Sequence, residues 1–502
     1  MKKNFNILDC TLRDGGYYTN WDFDKSIVKS YLECINDLPI KYIEVGYKGC
    51  YQSEYKGQYF FLPNSTLKFI SNCTTKDLAI MLDAKDVKVD GNFKQSMIEV
   101  KNYISLVRIA TTPSKIEKSL EIASVLKDSG FEVALNVMNI SSIYNEQLFF
   151  SFLKDIESKI DYLYLVDSYG SIFPEELKKI ILKLRKHTSV SLGFHSHNNI
   201  ELSFSNTLAA IECGVELIDS TVLGMGRGAG NLKTELILSY LKSQKNLEVD
   251  LNLLGRLVEI FQPLHNKYRW GTNLAYIVAG LFSIPQGNVM KMLEINRYSL
   301  AGVLKRLQKN TITSFPCFKN KDKVKKCVII GGGESILLHF EAIEAYLLLD
   351  PDITIIHSSS RYIGLFKNLP NKSILAIPGD QVLNINSFLE FADACILASA
   401  PREINIASYD FNKVFELNDT HFPKYKDSPL SISLDVAIEL MAEDVRLIGF
   451  DGYSELKNTK QIFLMQENQS IIDIFTENRE LLSLTPSGYR NLIHGSIYEE
   501  IA

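Results

Sequence analysis

Residues 9–16 of this chain are DCTLRDGG, and they directly follow a short apolar run, FNIL, at residues 5–8. The apolar run predicts a buried β-strand, so Arg13 and Asp14 would lie just past its C-terminal end. The Gly-Gly pair that follows predicts a flexible turn where the backbone approaches a ligand closely. An isolated Arg-Asp pair is also typical of a surface ion pair, so a functional site here requires a partner elsewhere in the chain.

Such a partner is the stretch GFHSHNN at residues 193–199, which ends another apolar run. The two-residue period of a β-strand places His195 and His197 on the same face. Two imidazoles and the carboxylate of Asp14, all at strand ends, form a donor set for a divalent metal ion. A structural histidine pair is the alternative, but the nearby carboxylate favours the metal site.

Length and composition limit the class of protein. The chain has 502 residues, of which 46% are hydrophobic and 23% charged, and its net charge is −5. This length predicts a barrel of about 250 residues followed by a second domain. The charge offers no basic surface for nucleic acid, which favours a small-molecule substrate. No apolar run reaches the roughly 18 residues that span a bilayer, and no signal-peptide core precedes the first strand, so we predict a cytoplasmic protein without membrane association.

Eight apolar runs alternate with helical segments in the first half of the chain. After residues 5–8 they lie at residues 42–47, 78–82, 104–109, 133–138, 162–166, 190–194 and 217–223. Runs of this kind, separated by helices such as 25–37 and 174–186, predict strands buried on both faces of a parallel sheet. A doubly wound open sheet has the same pattern. Polar residues follow nearly every run, however, which favours a (β/α)8 TIM barrel with one catalytic mouth.

Other polar residues at predicted strand ends extend the candidate site. Glu44 lies within the second apolar run, where its burial requires a partner, and Arg13 on the neighbouring strand is the expected one. This ion pair competes with a role for Glu44 as general base. Residues 224–231, GMGRGAGN, follow the eighth run and contain four glycines. They predict either a simple turn or a loop folded tightly over a bound ion.

Four motifs together resemble the pyruvate-handling, metal-dependent TIM-barrel lyases and synthases of the hydroxymethylglutaryl-CoA lyase-like superfamily. The motifs are DxTLRDG at 9–15, IEVG at 43–46, HxHxN at 195–199 and GxGxGN at 226–231. The resemblance covers about residues 4–310. It is strongest to 4-hydroxy-2-oxovalerate aldolase because of VDS at 166–168 and WGTNLAY at 270–276.

The resemblance implies a divalent-metal-dependent (class II) aldolase that cleaves or forms a 4-hydroxy-2-oxo acid through a metal-bound pyruvate enolate. The implied metal ligands are Asp14, His195, His197 and, in some relatives, Asn231. Manganese (Mn²⁺) is the expected metal and Mg²⁺ the alternative. A 2-oxo acid and an aldehyde are the expected substrates. In the aldolases a dehydrogenase takes the aldehyde, but nothing in this sequence shows that partner, and a homo-oligomer stays open.

The implied roles of the other residues follow the chemistry of enolate formation. A cation and the guanidinium of Arg13 would both stabilise the developing charge on the enolate oxygen. Ser168 and His195 would contact substrate. The aldolases have a His as proton acceptor three positions beyond the ligating Asp, whereas this chain has Tyr17 there. Tyr17, Tyr276 and Glu44 are the candidate bases, and the substitution indicates an acceptor aldehyde different from that of the standard enzyme.

The domain prediction is a catalytic barrel at 1–245, a helical extension closing it at 246–309, a linker at 310–326 and a Rossmann-like parallel α/β domain at 327–502. In the last domain, strands are predicted at 327–330, 353–357, 374–377, 395–398, 414–416 and 445–450, with a helix at 336–349. The turn GGGES at 331–335 could seat a phosphate. It is not GxGxxG, however, and a Walker lysine is absent.

The second domain therefore has no assigned ligand. Residues 447–452, LIGFDG, faintly resemble nucleotide-handling and sialyltransferase-like Rossmann domains of bacterial surface-glycan pathways, and a docking or oligomerisation module is the alternative. For the whole chain, two other functions stay open beside the aldolase. One is a Claisen-type acyl-CoA condensing enzyme on the same barrel, and the other is an inactive barrel that serves as a binding module.

Overall fold

The structure, a computed structural model, describes residues 5–143, 147–295, 300–307, 315–319, 323–378, 385–398, 412–453 and 459–502. It divides into two compact units, Met1–Met290 and Lys291–Ala502. Among the described residues, no helix combines the length and the apolar character that crossing a bilayer requires. The predicted linker at 310–326 lies partly outside the described residues.

The first unit is a closed barrel of eight parallel strands in sequential order, with β1 paired to both β2 and β8. The strands are β1 (Asn6–Asp9), β2 (Tyr42–Tyr47), β3 (Asp77–Asp83), β4 (Leu106–Thr111), β5 (Glu132–Val137), β6 (Tyr162–Asp167), β7 (Ser191–Ser196) and β8 (Leu217–Ser220). The predicted (β/α)8 barrel is thus confirmed. The eighth strand is shorter than predicted because the chain enters a 3-10 turn at Val222–Gly224.

Helices cover the outside of the barrel and continue beyond its last strand. They are α1 (Thr11–Thr19), α2 (Lys25–Asn36), α3 (Gln58–Phe61), α4 (Asn64–Cys73), α5 (Gly91–Val100), α6 (Ile116–Asp128), α7 (Ile140–Ile143), α8 (Gln147–Ile156), α9 (Pro174–Leu184), α10 (Ser203–Glu212), α11 (Thr234–Lys245), α12 (Leu251–Tyr268), α13 (Leu274–Leu281) and α14 (Gln286–Ile295). Apolar residues of α1–α12 join one core with the strands.

The segment after β1 differs from the prediction. Gly15 and Gly16 do not form a flexible turn, because both lie inside helix α1 and are buried. A Cβ on Gly15 would lie 2.6 Å from the Sδ of Met225, and one on Gly16 would lie 2.2 Å from ring atoms of Trp21. The glycines therefore allow neighbouring side chains to pack directly on the helix backbone, and this packing stabilises the helix that carries Arg13 and Asp14.

Replacing Gly16 with Ala should lower the free energy of unfolding by about 1–3 kcal/mol, the usual cost of overpacking. The Trp21 ring cannot move away freely, since its Nε1–H donates a 2.8 Å hydrogen bond to the carbonyl of Arg13. Gly255 is the matched control, because it also lies in a helix but has nothing within 4 Å of a built Cβ. Gly255→Ala should stabilise the chain by roughly 0.5–1 kcal/mol. Denaturant unfolding that shows Gly16→Ala as stable as wild type would contradict this packing.

The second unit contains one eight-stranded parallel sheet in the order β13-β12-β11-β10-β9-β14-β15-β16. The strands are β9 (Lys326–Ile330), β10 (Thr354–His357), β11 (Ser373–Ile377), β12 (Ala394–Leu397), β13 (Val414–Glu416), β14 (Asp444–Ile448), β15 (Leu482–Ser483) and β16 (Ile493–His494). Its described helices are α15 (Leu300–Leu307), α16 (Ser335–Leu338), α17 (Phe340–Leu349), α18 (Ile385–Phe388), α19 (Pro429–Glu439) and α20 (Thr459–Thr476). The predicted parallel α/β architecture is confirmed, with two short strands that were not predicted.

Two local features of this unit bear on the predictions. Residues 315–319 of the predicted linker are paired with β13, since Phe318 N–H donates to the carbonyl of Glu416 at 2.8 Å. At the GGGES turn, the carboxylate of Asp451 accepts hydrogen bonds from the backbone N–H of Ser335, at 2.9 Å, and from its hydroxyl. An acidic side chain thus takes the backbone donor that a phosphate would use.

Candidate metal centre

Asp14, His195 and His197 converge at the carboxyl ends of the barrel strands. Their ligand atoms all lie within 4.8 Å of one another, and His195 Nε2 is 3.5 Å from Asp14 Oδ2. Asp14 comes from the first turns of α1, whereas the histidines lie at the end of β7 and directly after it. All three side chains are buried. The geometry therefore joins a carboxylate to two imidazoles that are about 180 residues away in sequence.

Hydrogen bonds orient both imidazoles. His195 Nδ1 lies 2.8 Å from Asp219 Oδ2, and His197 Nδ1 lies 2.8 Å from the carbonyl oxygen of Asp167. Because both partners are acceptors, each ring donates a hydrogen bond from Nδ1, which leaves Nε2 as the nitrogen for a metal ion. A carboxylate or carbonyl behind the ring is the usual arrangement of metal-ligating histidines.

The protonation states match those that a metal requires. Burial acts to raise the pKa of Asp14, but the guanidinium of Arg13, with smaller contributions from His195, His197 and Arg227, outweighs it and lowers the pKa to about 2. Burial, with His195 as a further cause, lowers the pKa of His197 to about 3. At neutral pH the site therefore presents an ionised carboxylate and a neutral imidazole, and these are the forms that bind cations.

A buried network of charges surrounds the cluster. Arg13 donates from Nε to Glu44 at 2.7 Å and from Nη1 to Asp14. Arg108 donates to Glu44 at 2.9 Å and to Asp219 at 2.6 Å. Three carboxylates against two guanidinium groups leave one negative charge in this hydrogen-bonded network. A divalent cation would compensate for it, since buried charges are stable only when paired.

Asn231 provides an independent indication that the cluster fits a cation. Its Nδ2 donates to Asp14 Oδ2, and its Oδ1 is buried without a partner among the described residues. A buried amide oxygen without a donor is uncommon and calls for an unseen ligand. One carboxylate, two imidazoles and one amide oxygen form a donor set that fits a divalent metal ion.

A second group of potential ligands, Cys10, His195 and Asp219, overlaps with the first. The Cys10 thiol donates a 3.5 Å hydrogen bond to the carbonyl of Ser220, and burial raises its pKa well above its ordinary value. Asp219 already accepts hydrogen bonds from His195 and Arg108. This second group orients His195 and does not form a separate site.

Comparison with known proteins agrees with this geometry. The profile of the family described as HMGL-like matches residues 4–261. The chain belongs to the HMGL-like family. The resemblance inferred from the four motifs is therefore confirmed.

Individual relatives of this HMGL-like chain have aldolase and decarboxylase names. A 4-hydroxy-2-oxovalerate aldolase of Thermomicrobium roseum is 29% identical over 236 residues, which are 47% of this chain and 66% of that protein. An oxaloacetate decarboxylase of Mycobacterium tuberculosis is 26% identical over 258 residues, 49% of this chain and 73% of that protein. Both names agree with the predicted carbon–carbon lyase.

A solved structure shows the same barrel. The N-terminal domain of a proposed aldolase from Bacteroides vulgatus is 43% identical, with a TM-score of 0.57, and the match covers 60% of this chain and 100% of that domain. The carboxyl transferase domain of Rhizobium etli pyruvate carboxylase, at 17% identity and a TM-score of 0.50, shares the fold alone.

Three other predicted site residues of the HMGL-like barrel are Glu44, Ser168 and Tyr17, and each has its own set of neighbours. The Arg13–Glu44 ion pair is present, and Glu44 also contacts Arg108. Ser168 follows β6, where its hydroxyl accepts a 2.9 Å hydrogen bond from the N–H of Asn139, and its described contacts include none of the three ligand side chains. The hydroxyl of Tyr17 lies 3.1 Å from that of Tyr47.

Tyr276 supports the glycine-rich loop at residues 224–231. It lies in α13, is buried, and a Cβ on Gly228 would come within 2.7 Å of its ring. Its carbonyl accepts a 2.9 Å hydrogen bond from Asn199, the last residue of the HxHxN motif. Tyr276 thus links this motif to the glycine-rich loop.

Four residues of this site had no role predicted from the sequence: Arg108, Asp219, Tyr47 and Arg227. Asp219 lies in the apolar run of β8 and gave the same signal as Glu44, an acidic residue in a buried strand. Arg227 lies in the quoted glycine-rich run, where it was part of a turn without a role of its own. Recognising these residues requires the closed barrel, because their partners come from distant strands.

Replacing Asp219 with Asn should weaken Mn²⁺ binding by about 10–100-fold, the usual effect of removing a partner behind a ligating histidine. The amide keeps the size of the side chain but removes the charge that orients His195. Asp161→Asn is the matched control, because Asp161 precedes β6 at the opposite end of the barrel and pairs with Lys127 at 2.8 Å. Titration calorimetry that gives equal Mn²⁺ affinities for wild type and Asp219→Asn would contradict the role of Asp219.

Proposed function

We propose that the barrel is a divalent-metal-dependent carbon–carbon lyase, an aldolase that cleaves or forms a 4-hydroxy-2-oxo acid through the enolate of pyruvate. The observation that carries this proposal is the convergence of Asp14, His195 and His197 beside the guanidinium of Arg13. The HMGL-like family and the names of the aldolase relatives support it. The substrates would be a 2-oxo acid and an aldehyde.

Asp14, His195, His197 and the amide oxygen of Asn231 would hold the cation. Imidazole ligands suit several transition metals, and the oxygen ligands favour Mn²⁺ or Mg²⁺, so we propose Mn²⁺ first and Mg²⁺ as the alternative. When bound, the cation supplies Lewis-acid polarisation of the 2-oxo group.

Arg13 would stabilise the charge that develops on the 2-oxo oxygen. In the cleavage direction the C3–C4 bond breaks, and its electron pair passes into the enolate of pyruvate. The C4 hydroxyl loses its proton as C4 becomes the aldehyde carbonyl, and C3 then takes up a proton. The described hydrogen bonds of Arg13 use Nε and Nη1, which leaves Nη2 for the substrate oxygen. Because Glu44 and Asp14 fix this guanidinium before substrate binds, little reorganisation is needed during the reaction.

Tyr17 is the proposed relay for the C4 hydroxyl proton, because a neutral phenol can accept that proton only as it passes its own proton to a neighbour. It occupies the position of the catalytic His in the aldolases that the chain resembles, and its hydroxyl is hydrogen-bonded to Tyr47. Glu44 is engaged by two guanidinium groups, which supports a role in positioning Arg13 instead of a role as base. Tyr276 packs on the glycine-rich loop and supports that loop.

We propose that residues 1–245 form the catalytic domain and that the extension at 246–309 closes it. Trp270 donates from Nε1 to the carbonyl of Leu223 at 2.9 Å, and Gly271 donates to the carbonyl of Gly228 at 3.0 Å. Both contacts hold the extension against the glycine-rich loop. The domain at 327–502 has no proposed ligand.

The test of this function is the exchange of pyruvate methyl protons in D₂O, followed by NMR. The metal-loaded wild type should exchange these protons, and removal of the metal with a chelator should stop the exchange. Addition of Mn²⁺ should restore it. Absence of exchange in the metal-loaded protein would contradict enolate formation, and release of free CoA from acetyl-CoA and a 2-oxo acid would indicate the Claisen-type alternative.

A further inference from the structure

The glycine-rich loop carries one charged side chain, Arg227, near the proposed metal centre. Its neighbours are glycines that leave no room for side chains. A Cβ on Gly226 would lie 2.4 Å from Asn231 Nδ2, and one on Gly228 would lie 2.4 Å from Gln286 Oε1. Gln286 in turn accepts from Ala229 N–H and donates to Asn199. The loop backbone is therefore fixed, and so is the point from which Arg227 projects.

The guanidinium of Arg227 is held by an aromatic ring and not by a carboxylate. Its Cζ lies 4.4 Å from the centroid of the Tyr17 ring. Its Nε is buried without a hydrogen-bond partner, and among the described residues no carboxylate lies within ion-pair distance of it. Stacking on an aromatic face orients a guanidinium but does not satisfy its N–H donors. A buried donor without a partner costs free energy, and a bound ligand can recover it.

Arg227 also lies close to the proposed metal ligands. Its neighbour Gly226 packs on Asn231, and the Tyr17 ring on which it stacks belongs to the same helix as Asp14. Arg13 is already bound to two carboxylates of the barrel. Arg227 is thus a second guanidinium near the proposed substrate, and in contrast to Arg13 it has no ion-pair partner among the described residues.

The space beside Tyr17 accommodates more than a small aldehyde. A cavity of about 260 Å³ is bordered by Tyr17, Trp21, Tyr47 and Phe60 at its aromatic side, and its charged lining residues are Lys48, Lys56, Asp83, Lys85 and Asp86. Arg227 and the proposed metal ligands do not line it, and Tyr17 is the residue that it shares with the Arg227 stack. Acetaldehyde has three non-hydrogen atoms and would occupy a small part of such a volume, since one water takes about 30 Å³ of liquid. An aldehyde that extends past Tyr17 would therefore have room for a further substituent.

We infer that the aldehyde half of the substrate carries an anionic group, a carboxylate or a phosphate, and that Arg227 binds it as the specificity-determining residue. This inference rests on the proposed aldolase function. The planar fork of a guanidinium matches both oxyanions, and charge-assisted hydrogen bonds to them are strong. Tyr17 stands where the related aldolases have a His, and it has a second role here. Its ring provides the surface on which Arg227 stacks.

The experiment compares cleavage of three 4-hydroxy-2-oxo acids that share the pyruvate half. They are 4-hydroxy-2-oxoglutarate with a carboxylate, 2-dehydro-3-deoxy-6-phosphogluconate with a phosphate, and 4-hydroxy-2-oxovalerate with a neutral methyl group. The wild type should cleave at least one anionic substrate with a higher kcat/KM than the neutral one. Arg227→Met should lower kcat/KM for that substrate by about 10–100-fold, the value of one charge-assisted hydrogen bond, and should affect the neutral substrate much less.

Two further variants sharpen the comparison. Arg227→Lys keeps the positive charge but loses the bidentate geometry of the guanidinium, so it should retain part of the preference for the anionic substrate. Arg256→Met removes an exposed arginine from α12 and is the control for the loss of one positive charge. The substrate whose kcat/KM depends more strongly on Arg227 identifies the group as carboxylate or phosphate.

Each outcome separates this inference from the function on which it rests. An equal loss for charged and neutral substrates in Arg227→Met would overturn the inference, because Arg227 would then act on the shared pyruvate half. A wild type that exchanges pyruvate protons but does not prefer either anionic substrate would overturn the inference alone. A wild type that neither exchanges pyruvate protons nor cleaves any of the three acids would overturn the proposed function and the inference with it.

Discussion

Arg13→Gln is expected to slow pyruvate methyl-proton exchange by about 10²–10³-fold, the usual effect of removing one preorganised donor to a developing oxyanion. Arg13 is the only guanidinium among the described residues that directly contacts both Asp14, the proposed metal-ligating carboxylate, and Glu44. Glutamine keeps a neutral hydrogen-bond donor but loses the positive charge and the planar set of N–H donors of a guanidinium. Because Asp14, His195 and His197 remain, Mn²⁺ should still bind to the variant.

The control for this prediction is Arg13→Lys, which keeps the charge and should lose less activity than the glutamine variant. The exchange rate and the Mn²⁺ affinity are measured on the same preparations, so that a loss of metal is distinguished from a loss of enolate stabilisation. An exchange rate for Arg13→Gln close to that of wild type, with Mn²⁺ bound, would contradict the proposed role of Arg13.

Asp14→Asn is expected to weaken Mn²⁺ binding by more than about 100-fold. This loss is larger than the roughly 10–100-fold loss that follows the removal of a residue that only orients a ligand. Asp14 supplies the only carboxylate oxygen of the proposed ligand set, and its low pKa keeps it ionised at neutral pH. The amide is nearly isosteric, so the main change is the loss of one negative charge at the cation. Pyruvate exchange should fall to the level of the chelated wild type.

The matched control is Asp128→Asn, which removes an exposed carboxylate at the end of α6 and should leave Mn²⁺ affinity unchanged. The free energy of unfolding of Asp14→Asn is measured in parallel, because Asp14 also pairs with Arg13. A folded Asp14→Asn protein that binds Mn²⁺ as tightly as wild type would show that the carboxylate is not a ligand.

The barrel could be predicted because its strands are buried on both faces. Such strands appear as continuous apolar runs, and β2 (Tyr42–Tyr47) lies where the run predicted it. Other strands are shifted by one or two residues, as for β4, which begins at Leu106 and not at residue 104. Apolar runs mark the centre of a buried strand well, but hydrogen bonding to both neighbours determines where it begins and ends.

Helix α1 could not be predicted from local signals. Its residues include the Gly15-Gly16 pair, and glycine lowers helix propensity by about 1 kcal/mol relative to Ala. The helix forms because Met225 and Trp21 pack on the bare backbone at these positions. This tertiary packing outweighs local propensity, and both side chains lie outside the window that defines the motif.

The histidine pair of the site was predictable, whereas the network behind it was not. Strand alternation alone places His195 and His197 on one face. Arg108 and Asp219, in contrast, are 111 positions apart in sequence and meet only inside the closed barrel. Buried charges in different strands can be matched only when the order and register of those strands are known.

The most direct test of the account is pulsed EPR of bound Mn²⁺, which detects the magnetic coupling of coordinated imidazole nitrogens. The proposed metal centre predicts one Mn²⁺ per wild-type chain, coupled to two histidine nitrogens. In His197→Gln the Mn²⁺ should couple to a single histidine nitrogen. Bound Mn²⁺ without any histidine nitrogen coupling, or a wild type that binds no Mn²⁺, would contradict the proposed metal centre.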